Sequence, residues 1–137
     1  SSPVQIPGTW SSISGSSNAN MMTYSAYRSM LAINTDGELW GMGYNEHAVL
    51  GQNNKVYYSS PIQIGTDTTW SSVSSGAYSA AAIKTDGTMW SWGTGGNGQL
   101  GVNSTVSYSS PIQVPGTDWN SVYVFDRLHW GVKKIFA

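Results

Sequence analysis

Residues 85–114 read TDGTMWSWGTGGNGQLGVNSTVSYSSPIQV, and residues 35–64 read TDGELWGMGYNEHAVLGQNNKVYYSSPIQI. The two stretches align without a gap at an offset of 50 residues, and 15 of the 30 positions are identical. Self-similarity at a fixed period is the mark of a repeat architecture. We therefore expect the chain to be built from successive units of one kind.

Further marks extend the repeat to both ends of the chain. The motif SSPVQI at residues 1–6 matches later copies of SSPIQ, and Trp10, Trp70 and Trp119 each open a similar short segment. These marks divide the chain into four parts. They are an isolated last strand at 1–6, a first repeat at 7–64, a second repeat at 65–114 and a partial third repeat at 115–137.

Each unit combines short β-type segments with strong turn signals. In the second unit the segments are WSSVSS (70–75), YSAAAIK (78–84), TMWSW (88–92) and PIQV (111–114). Asp86-Gly87 predicts a tight hairpin turn, because glycine tolerates a positive φ. Pro111 at the start of the last segment is typical of an edge strand. The run Ala80–Ala82 predicts close packing between neighbouring sheets. We expect four antiparallel strands in each unit.

The segment SAAAIKTDGTMWSWGTGGNGQLG (79–101), followed by SSPIQV (109–114), resembles the repeats of the regulator of chromosome condensation family. The resemblance covers nearly the whole chain, and Gly98-Gln99-Leu100-Gly101 is its most specific element. It implies an all-β fold in which each repeat is a four-stranded antiparallel blade of a β-propeller, in a closed ring of about seven blades. Two full repeats with partial units at the ends predict a part of a larger or oligomeric ring.

The partial units at the two ends are complementary in kind, which favours an oligomeric ring. The isolated strand at 1–6 is a last-strand piece, and the partial third repeat at 115–137 supplies first and second strands. The partial blade of one copy could accept the strand of its neighbour, and cyclic contacts between copies could close a ring.

The first repeat is longer than the second between its opening Trp and its Thr-Asp-Gly turn. Trp10 to Thr35 spans 25 residues and Trp70 to Thr85 spans 15, which places a ten-residue insertion near residues 15–27. Insertions in repeats form loops on one face, which is often the binding face. Methionine and aromatic residues are enriched at such contacts. A loop that binds nothing explains the insertion equally well. The candidate partner-binding residues are Met21, Met22, Tyr24 and Tyr27, with Trp92 and Trp130, two Trp residues outside the repeat register.

The composition argues against several classes of function. The net charge is −1 and only 9% of residues are charged, without the basic cluster that a nucleic-acid partner requires. No apolar run is long enough for membrane insertion. The chain has no cysteine, and its two histidines, His47 and His129, lie in no metal-binding motif, so we expect no metal and no cofactor. Asp36 and Asp86 occupy equivalent turns, and no spacing forces two carboxylates together. We therefore expect no catalytic residues and no enzyme.

These patterns favour a non-enzymatic structural, adhesion or protein-binding module made of propeller blades. Its polar, Ser- and Thr-rich style resembles copies of the repeat in phage structural proteins and bacterial surface proteins. We expect partners among other protein subunits, through self-association or a neighbouring virion or surface protein, with a glycan as a further candidate. The expected location is a virion, the extracellular space or the cell surface, with the cytoplasm as the alternative. The alternative is a soluble propeller scaffold or regulator that binds a signalling protein, as GTPase regulators do.

Overall fold

The computed structural model describes residues 2–15, 29–76, 78–125 and 128–133. Ten β-strands and no helix lie within these residues. The strands are β1 (Trp10–Gly15), β2 (Ser29–Asn34), β3 (Leu39–Gly43), β4 (Tyr58–Gln63), β5 (Trp70–Ser75), β6 (Ser79–Lys84), β7 (Met89–Gly93), β8 (Tyr108–Val114), β9 (Trp119–Phe125) and β10 (Leu128–Lys133). In this part of the chain no helix could cross a membrane.

Within each sheet, strands that are consecutive in the chain pair with one another. β1 to β4 form one antiparallel sheet and β5 to β8 form a second, each in sequence order, while β9 and β10 form a two-stranded sheet. The first and second sheets come from the predicted first and second repeats, and the two-stranded sheet comes from the partial third repeat. The expectation of an all-β fold of four-stranded antiparallel blades is confirmed.

The Thr-Asp-Gly turns connect each sheet to the next. The carbonyl oxygen of Gly37 accepts a hydrogen bond from the backbone N–H of Trp70 at 3.1 Å, and that of Gly87 accepts one from Trp119 at 3.0 Å. Both glycines have positive φ, 80° and 84°. A Cβ on Gly37 would lie 2.2 Å from the carbonyl oxygen of Thr68, in the segment that enters the second sheet. The same turn chemistry therefore shapes the hairpin and spaces neighbouring blades.

The short side chains of β6 allow it to be buried on both faces. Ala80, Ala81 and Ala82 are fully buried. Ala80 and Ala82 pack with apolar residues of the first sheet, whereas Ala81 packs with Val122 and Val124 of β9. Alternate residues of a strand point to opposite faces, so one run of small residues serves two sheet contacts. The prediction of close packing at Ala80–Ala82 is confirmed.

The last strand of the second sheet begins earlier than expected. β8 starts at Tyr108 and not at Pro111, so the proline lies inside the strand. The register explains how this is tolerated: Gly93 is opposite Tyr108, but Ser91 is opposite Ile112, which leaves extra residues bulged out of the ladder around the proline. β8 is an edge strand of its sheet, as predicted, and an edge or bulge position is where a missing N–H is acceptable.

The described residues that precede β1 lie outside the three sheets. Residues 2–9 form no strand, so the last strand predicted at 1–6 stays a prediction that depends on a neighbouring sheet.

β5 lies against β1 and β2 on one side and against β9 on the other. The sheets therefore follow one another with their first strands side by side, as in a radial array of blades. The insertion predicted near residues 15–27 falls, apart from Gly15, outside the described residues.

Candidate interaction surface

A long loop of residues 44–57 joins β3 to β4 in the first sheet. Gly43 is opposite Ser29 at the start of β2 and opposite Tyr58 at the start of β4. Gly15, the last residue of β1, pairs near the same place with Met30. The first long loop and the ends of β1 and β2 therefore share one end of the sheet, opposite the Thr-Asp-Gly turn.

A buried asparagine fixes the path of this loop. Asn45 is fully buried, and its side-chain amide donates hydrogen bonds of 3.0 Å to the carbonyl oxygens of Asn54 and Val56. Its side-chain oxygen accepts one of 2.9 Å from the backbone N–H of Leu50. A satisfied buried amide holds three points of backbone together. The second unit has Gly95 in this position, so only the first loop is held in this way.

Four aromatic rings meet on this scaffold and connect the two sheets. The Tyr44 ring lies 5.0 Å from that of Tyr57 and 6.0 Å from that of His47. The His47 ring lies 4.6 Å from that of Tyr78, which precedes β6 in the second sheet. Tilted rings at such distances attract one another beyond simple burial. With exposed Val56, these residues form what we call the first-loop surface: Tyr44, His47, Val56, Tyr57 and Tyr78.

The exposure of the first-loop surface is uneven. Tyr44 is 4% exposed, and its hydroxyl donates a hydrogen bond to the carboxylate of Glu46. Val56 and Tyr57 are each 56% exposed, which places them among the most exposed large apolar side chains in the described part of the chain. A rigid base with exposed aromatic and aliphatic groups at its rim is suited to contact with another molecule.

Charge around the first-loop surface is small and mixed. Burial lowers the pKa of His47 below its ordinary 6.5, while nearby Glu46 raises that pKa and Lys55 lowers it. The imidazole is therefore held in its neutral form more strongly than in solution. Among the described residues of the rim, Glu46 and Lys55 are both exposed and carry charges of opposite sign.

The carboxylates have structural roles at the opposite end. The Asp86 side chain accepts hydrogen bonds from the backbone N–H of Thr88 at 3.0 Å and from its hydroxyl at 2.6 Å. These bonds lower the pKa of Asp86. This is the turn-forming role predicted for Asp86. Among the described residues no three His, Asp or Glu side chains gather as metal ligands would.

The prediction that Trp92 faces a partner is wrong for this structure. Trp92 is fully buried, and its indole nitrogen donates a 2.7 Å hydrogen bond to the carbonyl oxygen of Val49. Met42 occupies the equivalent position on β3, where no further described sheet lies against that face of the first sheet. In the second unit this strand position is covered, because the first sheet packs on it.

The other predicted contact residues lie beyond what the structure describes. Met21, Met22, Tyr24 and Tyr27 fall outside the described residues, and for Trp130 only the backbone is described, opposite Tyr123 in the β9–β10 pair. The sequence reasoning missed Tyr44, His47 and Tyr57. The sequence does contain a signal for them, because the aligned second unit has Thr94, Asn97 and Ser107 at these three positions.

Comparison with known proteins supplies the family. A profile of the regulator of chromosome condensation (RCC1) repeat matches residues 36–83 and 86–124, and a second profile of that repeat matches residues 70–99. No curated protein sequence matches the chain at a significant level. The two aligned stretches cover more than half of the chain.

Solved structures share the arrangement of strands. Human WBSCR16 matches with a TM-score of 0.66 and 22% identity, covering 77% of this chain and 29% of that one. Prp20p from Saccharomyces cerevisiae matches with a TM-score of 0.64 and 21% identity over the same shares. A chain in the complex of Kap60 with yeast RCC1 (Prp20) matches with a TM-score of 0.71 and 19% identity, covering 96% of this chain and 32% of that one. The chain thus spans about a third of the length of these structures.

Proposed function

Because the chain belongs to the family of regulator of chromosome condensation (RCC1) repeat proteins, we propose that it is a non-enzymatic, protein-binding module made of β-propeller blades. Two comparisons support a binding role. Prp20p was solved in a study that also describes its binding properties to Gsp1p and histones, and yeast RCC1 (Prp20) was solved bound to Kap60. The partner of the present chain is a separate question, to be answered from its own surface.

We place the contact on the first-loop surface. The observation that carries this choice is the difference between two otherwise parallel loops. The repeat accounts for the strands and turns, but it does not account for the aromatic set in the first loop. Tyr57 is 56% exposed above the buried Tyr44, whereas the second loop has Ser107 in the same place. Tyrosine offers large contact area at a low cost in conformational entropy, and it is enriched in protein interfaces.

A loop exchange tests the site. The variant Tyr57→Ser with His47→Asn gives the first loop the side chains of the second. The matched control is Val106→Ser, which removes an apolar side chain of similar exposure from the second loop. Immobilised chain is incubated with extract of the source cells, and retained proteins are identified by quantitative mass spectrometry. The leading candidate is then purified and titrated against each variant.

We expect one protein to be retained by the wild type and by the control, and to be lost from the loop exchange with at least about tenfold weaker binding, a loss of about 1.4 kcal/mol. Equal retention by the wild type, the control and the loop exchange would exclude the first-loop surface as the contact. A glycan as the partner would appear instead as binding to a glycan array that depends on Tyr57.

We further propose that the module is a structural or adhesion component of a phage particle or of a bacterial surface. The support is the polar, Ser- and Thr-rich style of its repeats and their low charge, 9% of residues. Mass spectrometry of purified particles, of the cell surface and of the cytosol would place the chain. Recovery in the cytosol alone would contradict this proposal.

A cytosolic result would favour the second candidate, a soluble regulator that binds a signalling GTPase. The likeness to Prp20p, with its binding to Gsp1p, is the observation behind this candidate. Its test is the titration of the chain with small GTPases of the source organism, with and without bound nucleotide.

A further inference from the structure

Each full unit contains a pair of tryptophans at the end of the sheet that carries the Thr-Asp-Gly turn. The rings of Trp10 and Trp40 are 6.5 Å apart with an interplanar angle of 86°, and those of Trp70 and Trp90 are 6.4 Å apart at 79°. The same edge-to-face arrangement therefore occurs twice in one chain. The two copies can be compared directly, with each serving as the reference for the other.

In the second unit the tryptophan pair holds an ammonium group. The Nζ of Lys84 lies 4.9 Å from the centre of the Trp70 ring and 4.5 Å from that of Trp90. The same nitrogen lies 2.8 Å from a carboxylate oxygen of Asp67, and the lysine side chain is only 13% exposed. Cations over indole rings within about 6 Å are attracted by the electron-rich ring face. This site shows what the paired tryptophans accommodate.

In the first unit the scaffold is the same, but the residue in the place of the lysine differs. Asn34 is opposite Trp10 in the register, as Lys84 is opposite Trp70. Pro7 stands three residues before its tryptophan, as Asp67 does. At these two positions the first unit therefore has neither the lysine nor its aspartate partner.

A carboxylate remains beside the first pair. A side-chain oxygen of Glu38 accepts hydrogen bonds from the Asn34 amide at 2.9 Å and from the Trp40 indole N–H at 3.1 Å. The corresponding residue of the second unit is the neutral Thr88, whose hydroxyl accepts the Trp90 N–H. The first site is therefore aromatic and negatively charged, and among the described residues Asn34 stands where the second unit has its lysine.

The first pair also borders an open cleft. The cleft has a volume of about 380 Å³ and is lined by Pro7, Gly8, Trp10, Asn34, Trp40 and Pro61. This volume is ample for the four-carbon stem and ammonium group of a lysine side chain. We call this site, with the adjacent Glu38, the first tryptophan cleft.

We propose that the first tryptophan cleft binds an alkylammonium group, supplied by a lysine side chain of a partner protein. The rings of Trp10 and Trp40 would hold the ammonium as their counterparts hold Lys84, with Glu38 providing the opposite charge. The site lies at the end of the sheet away from the first-loop surface, so it does not depend on the function proposed above.

The direct test is a titration followed by nuclear magnetic resonance. The indole N–H signals of the ¹⁵N-labelled chain are recorded with n-butylammonium, with neutral n-butanol, with a short lysine peptide and with its acetyl-lysine form. We expect saturable shifts of the Trp10 and Trp40 signals with the two ammonium compounds only, and tighter binding of the peptide. Absence of such shifts overturns the proposal. Binding of n-butylammonium without binding of the peptide overturns the assignment to a protein lysine.

Exchange of the two unit-specific residues provides matched variants. Asn34→Lys gives the first unit its own lysine and should weaken n-butylammonium binding at Trp10 and Trp40 by about tenfold or more. Lys84→Asn should produce the opposite change, a new set of saturable shifts at Trp70 and Trp90. The second variant gains a signal, so it remains informative if the first folds poorly. Unchanged titrations in both variants would contradict the proposal.

Discussion

The indole nitrogen of Trp92 donates a 2.7 Å hydrogen bond to the carbonyl oxygen of Val49, which ties the third strand of the second sheet to the loop of the first. Both residues are fully buried. The Trp92 side chain therefore supplies a hydrogen bond to a carbonyl that is shielded from water. Adjacent blades are joined here by a polar contact inside an apolar interface, and its removal should affect both sheets.

Trp92→Phe should destabilise the chain by about 2–4 kcal/mol, because it opens a cavity and leaves the Val49 carbonyl buried without this partner. Urea unfolding followed by circular dichroism measures the free energy. The matched control is Trp90→Phe, whose indole N–H is bonded to the partly buried hydroxyl of Thr88. That hydroxyl can bond to water, so the control should lose clearly less, about 1 kcal/mol. Equal losses would mean that the bond to Val49 contributes little.

The burial of Trp92 shows where prediction from sequence reached its limit. Strands and turns follow from local signals: Asp86-Gly87 shapes its hairpin regardless of what lies beyond it. The run Ala80–Ala82 likewise predicts a crowded strand from side-chain size alone. Whether Trp92 is buried depends instead on a contact with a different repeat, and its repeat equivalent, Met42, is partly exposed. A comparison along the chain cannot show which face of a sheet is covered by its neighbour.

The first-loop surface was missed for a related reason. Tyr44 and His47 come from the first long loop, whereas Tyr78 precedes a strand of the next sheet. They meet because Asn45 directs the loop backbone through three hydrogen bonds. The sequence shows that the two loops differ, but the path that brings the rings together is a tertiary property. Differences between aligned repeats are thus a better guide to the site than isolated aromatic residues.

Gly37 and Gly65 both have a positive φ, but only Gly37 lies close to the next sheet. Substitution of each by alanine therefore separates the steric cost in stability from the conformational cost. A Cβ at Gly37 would lie 2.2 Å from the Thr68 carbonyl oxygen, whereas at Gly65, with a φ of +68°, it would meet nothing within 4 Å. Gly37→Ala should cost about 3 kcal/mol or more, since backbone must move. Gly65→Ala should cost only about 1 kcal/mol, the penalty for a positive φ.

Urea midpoints of the two glycine variants provide the measurement, with Gly87→Ala as a repeat of the experiment in the second unit. Its Cβ would lie 2.1 Å from the Thr117 carbonyl oxygen. We expect Gly87→Ala to resemble Gly37→Ala and not Gly65→Ala. Equal losses of unfolding free energy in Gly37→Ala and Gly65→Ala would show that the turn does not contact the neighbouring sheet closely in solution.

The partial burial of His47 predicts a dependence of stability on pH. Burial holds the pKa of His47 below 6.5 in the folded chain, so the unfolded chain binds more protons between that lowered pKa and 6.5. His47 therefore does not lower the free energy of unfolding above pH 6.5. It lowers that free energy progressively as the pH falls from 6.5 through the lowered pKa. Urea unfolding from neutral pH down to about pH 5 should show the decrease.

The His47→Asn variant should show a smaller decrease in stability over the same pH range, because asparagine does not titrate; the second unit has Asn97 at this position. The titration of His47 followed by nuclear magnetic resonance gives its pKa directly, and His129→Gln removes the only other histidine signal. A measured pKa of His47 at or above 6.5 would falsify the prediction and would indicate a more solvated ring.

Ala48 has a φ of 58°, in the left-handed region, and Gly98 has the equivalent position in the second unit with a φ of 72°. A left-handed conformation costs alanine roughly 1–2 kcal/mol, while glycine costs about 0.5–1 kcal/mol more entropy on folding. Ala48 is 6% exposed, so the loss of its buried methyl group, about 0.8 kcal/mol, offsets part of this gain, and Ala48→Gly should stabilise the chain by less than about 1 kcal/mol. Gly98→Ala should destabilise the chain by about 1 kcal/mol, the cost of the positive φ. No steric cost adds to it, because a Cβ there would meet no atom within 4 Å. Urea unfolding of both variants checks this opposition, and changes of the same sign would show that the two loops are not equivalent at this residue.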